Sequence, residues 1–110
     1  MIEQLTIATP ESAYPIGAQW VRENPAAAEL VIEWAKAENE SGYSASMQSC
    51  IEKLRERGML AASTATPYKF DHRMRTEVSR YLMAVSGVRF RIRKSHVDAQ
   101  ATYATPVVSR

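Results

Sequence analysis

The stretch SASMQSCIEKLRERGMLAASTATPYKFD, residues 44–71, decides how the rest of the chain is read. Ser44 or Ser46 can cap a helix in which Met47, Cys50, Ile51 and Leu54 fall on one apolar face, and Gly58 ends it. Residues 59–62 and 68–70 are short strand-like pieces around the polar turn Ser63-Thr64-Ala65-Thr66-Pro67, so a hairpin is expected after the helix. Asp71 then offers a cap for another helix.

Upstream, Asn24 is a good N-cap and Pro25 suits a first helical position, which predicts a helix from there to about Asn39 with a stop near Gly42. Ala27, Leu30, Val31, Trp34 and Ala37 follow helical spacing within it. Before it, residues 16–23 form a shorter expected helix carrying Trp20 and Val21, and residues 1–14 read as a polar N-terminal arm. Downstream, Met74, Val78, Tyr81, Leu82 and Val85 share one face of a helix that runs to about Ser86 and stops at Gly87. Val88, Phe90 and Ile92 then alternate with Arg89, Arg91 and Arg93, the period of a half-buried strand with an arginine face. Residues 95–110 read as a tail. The order predicts a mainly α, winged helix-turn-helix-like domain over residues 15–94, with four helices, a short β-hairpin wing and a C-terminal basic strand.

A chain of 110 residues with 45% apolar side chains closes one core, since two would each be too small to offset the entropy of ordering. Met1 is followed by Ile2, Glu3 and Gln4 rather than by a basic and then an apolar run, so neither a signal peptide nor a membrane span is expected. The single Cys50 allows no internal disulfide; it suits a reducing, cytoplasmic setting and reads as a small buried hydrophobe. His72 and His96 have no Cys or second His at ligand spacing, and the four glycines make no phosphate loop. No metal, no cofactor and no enzymatic activity are expected.

Charge is unevenly distributed. Residues 1–50 carry two cations against seven glutamates, a net −5, whereas residues 51–96 carry eleven cations against four carboxylates, a net +7. This is the footprint expected of a polyanion binder, although two oppositely charged halves could equally attract each other across the fold or across a dimer. Burial of the apolar face of residues 47–54 would turn Ala45, Gln48, Ser49, Glu52, Lys53 and Glu56 outward. Ser44, Ser46, Gln48, Ser49 and Lys53 are therefore candidates for touching base edges or phosphate, while Glu52 and Glu56 would repel phosphate. Lys69 on the wing, Arg73 and Arg80 on the last helix, and Arg89, Arg91 and Arg93 on the strand are candidate phosphate contacts, while Arg75 flanks the apolar face of that helix. An edge strand protected by charge is the other reading of that arginine ladder. Met83 falls on the outer side of its helix and leaves a homodimer open.

A composite pattern runs through the chain: Trp20 with Asn24-Pro25, then Ala35, Gly42, Ser46, Ile51, Glu52, Leu54 and Arg55, then Tyr68, Phe70, Arg80, Tyr81 and Leu82, and finally Phe90 and Arg93. In this order, over roughly residues 20–96, the sequence resembles small winged-helix or helix-turn-helix-like proteins of actinobacterial phages and prophages. It departs from them at Asp71, where Asn is usual, at Glu56, which replaces an aromatic residue, and at Ser86-Gly87, where Pro is common. The resemblance implies a phage or prophage origin and a compact helical domain. Together the readings predict a protein that binds double-stranded DNA in the bacterial cytoplasm, as a sequence-specific or structure-tolerant binder, with transcriptional regulation as a candidate role. The competing expectation is an interaction module that docks on a host protein through its basic strand and Met83.

Overall fold

Two prolines and an asparagine set the first half of the chain. In the structure, a computed structural model that describes residues 9–92, α2 (Pro15–Glu23) and α3 (Pro25–Glu40) each begin on a proline and are separated by Asn24 alone. Proline fits there because the first helical N–H has no partner in the helix and its φ is already helical. A one-turn helix, α1 (Pro10–Ala13), precedes them inside the stretch read as an arm, capped by Thr9, whose hydroxyl accepts from the Ser12 amide. The described chain continues with α4 (Met47–Glu56) and α5 (His72–Ser86). The protein is mainly helical, as expected, but with five helices among the described residues rather than four. The expected position of Arg93, the tail 95–110 and the start of the arm lie outside the described residues.

Asn24 does not cap α3 with its side chain. It is buried, and its amide donates to the Trp20 carbonyl while its Oδ1 accepts from the Ala62 N–H at 2.9 Å and the Tyr68 hydroxyl at 2.8 Å. The side chain thus ties the α2–α3 junction to the loop after α4. Around it, Trp20 meets the edges of Tyr68 and Phe70 at ring-centroid distances of 5.9 and 5.3 Å, the arrangement that the quadrupoles of aromatic rings favour.

The capping signals of the later helices act as the sequence indicated. Ser46 accepts from the Ser49 amide, Asp71 accepts from the Met74 amide at 2.8 Å, and Gly87 ends α5 in the left-handed region at φ 77°. Leu54, Val31, Val78, Leu82 and Ile51 are the fully buried centre of the core. α5 packs against α1, α2 and α4, and α3 lies against α2 and α4. Gly17 allows the α2–α5 crossing: a Cβ there would stand 2.7 Å from the Tyr81 Cβ and 2.9 Å from the Glu77 carbonyl oxygen. In detail the faces shift: Ala28 and Ala35 are buried while Leu30 and Trp34 are half-buried and Ala37 is exposed. Val85 is 45% exposed, and Met83 is half-buried against the core rather than turned outward.

Among the described residues neither of the two expected β features forms a ladder. The wing is a single antiparallel bridge, Leu60 to Pro67, with one bond from the Ala61 amide to the Thr66 carbonyl. It cannot lengthen, because Pro67 has no N–H and the Ala62 N–H is spent on Asn24. Ala65 turns the loop in the left-handed region at φ 56°. The basic strand is likewise a single parallel bridge between Phe90 and Ala45, whose amide donates to the Arg89 carbonyl and whose carbonyl accepts from the Arg91 amide. Ser46 begins capping α4 directly after Ala45, and the Arg89 amide is taken by the Asn39 side chain, so pairing stops there. The alternation itself is present: Val88 and Phe90 are buried, and Arg89 and Arg91 are exposed.

Candidate nucleic-acid interface

The Ala45–Phe90 bridge has a consequence for charge. It carries Arg91 to the amino end of α4, where α5 also passes. Between them lies an open cleft of about 450 Å³ lined by Ser46, Met47 and Gln48 of the α4 start, His72, Arg75, Thr76 and Ser79 of α5, and Arg91 and Ile92. None of these nine residues is a carboxylate. The α5 members are spaced 72, 75, 76 and 79, one stripe of a 3.6-residue helix.

Arg75 is held in place before any partner arrives. Its Nη1 donates to the Phe70 carbonyl at 3.2 Å and to the Gln48 Oε1 at 3.4 Å. A guanidinium has five N–H donors in a fixed plane, so its other edge remains available to an anion. Gln48 in turn donates to Glu52 at 3.1 Å. The first turn of α4 adds the amides of Met47 and Gln48, the unsatisfied donors that every helix start presents.

A second cleft of about 400 Å³ adjoins the first, sharing His72 and Thr76, and adds Ala13, Tyr14, Arg73, Glu77 and Arg80. Arg73, Glu77 and Arg80 form the next stripe of α5. Glu77 is the one acid among the described residues lining the two clefts, and its Oε1 is buried without a hydrogen-bond partner among the described residues. Tyr81 closes the α1 side, donating to Glu11 at 3.0 Å; burial, with the bonded Glu11 carboxylate, pushes its phenol up.

Of the residues named from sequence, Ser46, Gln48 and Arg91 line the first cleft, and Arg73 and Arg80 the second. Lys69 is exposed beside Phe70, whose carbonyl holds Arg75. The others go elsewhere. Lys53 lies over the Trp34 ring at 5.3 Å, facing α3. Arg89 leans on the carboxyl end of α3, its Nη2 3.4 Å from the Asn39 carbonyl. Ser44 and Ser49 are exposed outside both clefts, and Ala45, expected to face outward, is 1% exposed because its bridge to Phe90 buries it. Sequence reasoning missed Thr76 and Ser79 as site residues and placed Arg75 beside the apolar face. The spacing of the polar α5 stripe was the signal that could have found them.

Among the described residues no group of three or more His, Cys, Asp or Glu side chains could hold a metal ion. None of the described helices is long and apolar enough to cross a membrane. Comparison with protein-family models, with curated proteins and with solved structures found no match to this chain.

Proposed function

We propose that this chain is a non-enzymatic, helix-turn-helix-like protein that binds duplex DNA across the face built from the α4 start, α5 and Arg91. The observation that carries the reading is the cleft holding Arg75, Arg91 and His72 with no carboxylate among its described lining residues, continued along α5 by Arg73 and Arg80. Cations on a concave surface focus potential, and phosphate contacts supply the sequence-independent part of DNA affinity. α3, the turn at residues 41–46 and α4 stand in for the helix-turn-helix, and the Leu60–Pro67 bridge for a reduced wing.

Binding on this reading is tolerant of sequence. Gln48, the best candidate for reading a base, already has its amide engaged by Arg75 and Glu52, and Glu52 and Glu56 on the exposed side of α4 repel phosphate. A phage or prophage origin belongs to the same proposal and rests on the resemblance, while a cytoplasmic setting rests on the single Cys50 and a role in transcription or its regulation on DNA binding itself.

Fluorescence anisotropy with a labelled duplex over a series of salt concentrations tests it. Four phosphate contacts predict a log–log slope of about −3.6, and Arg91→Ala should flatten it by about 1. A host-protein docking module would instead show no duplex binding at low salt, and that result rejects the reading.

A further inference from the structure

Ser79 is 2% exposed, yet it lines the first cleft, and its hydroxyl makes no hydrogen bond to another described residue. In a helix the carbonyl four residues earlier is the nearest partner for a serine hydroxyl; Ser86 takes that option with Leu82 at 2.6 Å, and Ser79 does not. The same cleft is lined by Arg75, by the exposed Arg91 and by Met47 and Gln48 at the start of α4. Donors from three separate elements thus line one cleft, with no acid among its described lining residues.

We propose that this cleft is a discrete seat for a single phosphoryl group, bound by Arg75 and Arg91, with the Ser79 hydroxyl beneath it and the Met47 and Gln48 amides at its side. The proposal deepens the duplex-binding reading by naming where one phosphate sits. A tetrahedral anion with several acceptor oxygens matches a planar guanidinium edge, a hydroxyl and helix-start amides at once, which a carboxylate with two oxygens does not. A duplex-backbone phosphodiester and a terminal phosphate monoester both offer that group.

The test is an NMR titration of the full chain with inorganic phosphate, against sodium chloride at equal ionic strength. The seat predicts saturable shifts at the amides of residues 46–48 and 79 with phosphate and none that saturate with chloride. Ser79→Ala, the loss of a single oxygen, and Arg91→Ala, an exposed truncation, should each weaken phosphate by about tenfold. Lys53→Ala removes the same charge outside the cleft and should change affinity by less than about twofold. Linear shifts, equal shifts with chloride, or a Lys53→Ala loss as large as that of Arg91→Ala overturn the seat. Parallel titrations with a nucleoside 5′-monophosphate and with a dinucleoside monophosphate distinguish monoester from diester; tighter binding of either supports the seat and identifies its source. Saturable phosphate without duplex binding keeps the seat and rejects the DNA reading. Duplex binding that leaves these amides unmoved does the reverse.

Discussion

Asn24 shows how much one side chain can fasten. Its three hydrogen bonds join the end of α2, the loop at Ala62 and the buried Tyr68 hydroxyl. Asn24→Ala leaves that hydroxyl without its partner, and chemical denaturation should record a loss of about 2–3 kcal/mol. In the Asn24→Ala background, Tyr68→Phe should cost less than it does in the wild type, since the hydroxyl has already lost its bond; equal costs would show that the two side chains act independently. Cys50 is the opposite case, a residue whose role was legible from an apolar stripe. It is 4% exposed, and burial pushes its thiol up to about 11. The native protein should therefore resist alkylation at pH 8 and react once denatured. The folded state holds the thiol proton more tightly than the unfolded chain, whose value is 9.0, so the stability tied to this proton is present below pH 9 and is lost as pH rises toward about 11. Denaturation midpoints of wild type and Cys50→Ala should accordingly converge over that window. Tyr68 and Tyr81, both raised by burial, act in the same direction and leave the variant with some alkaline sensitivity.

Among the elements, helices and their caps were the readable part. Ser46, Asp71 and Gly87 act locally, through bonds to residues three or four away, so sequence order alone identifies them. The β features were not readable in the same way, because a bridge needs two free backbone partners from distant segments. Nothing in residues 59–70 announces that Asn24 will take the Ala62 amide, and nothing in residues 88–92 announces that Asn39 will take the Arg89 amide. Both losses trace to asparagines that act over 38 and 50 residues of chain. The α2–α5 crossing makes the element-scale prediction. Gly17→Ala gains about 1 kcal/mol in helix propensity. It also drives a methyl into the Tyr81 Cβ and the Glu77 carbonyl, backbone-fixed atoms that cannot step aside. Thermal melts should show a net loss of about 1–2 kcal/mol, and a variant as stable as the wild type would mean that the two helices separate at little cost.

Over the whole molecule, the charge asymmetry of the sequence resolves into an arrangement that composition could not specify. Arg73, Arg80 and Arg91 reach one continuous surface, whereas Lys53 turns to Trp34 and Arg89 to the end of α3. Arg75, read from its helical position as a neighbour of the apolar face, becomes the best-held cation of the site because the Phe70 carbonyl and Gln48 converge on it. The polar stripe of α5 was open to the same arithmetic that found its apolar face; that it would lie against the α4 start was not, since this depends on the Ala45–Phe90 bridge. The α4 carboxyl end, with Arg55 and Arg57, stands about 15 Å from the start of that helix. Arginine-specific modification with phenylglyoxal, read by mass spectrometry with and without duplex DNA, therefore tests the shared surface most directly. Duplex should protect Arg73, Arg75, Arg80 and Arg91 while Arg22, Arg55 and Arg57 go on reacting. Protection spread evenly over all seven, or confined to Arg55 and Arg57, would contradict it.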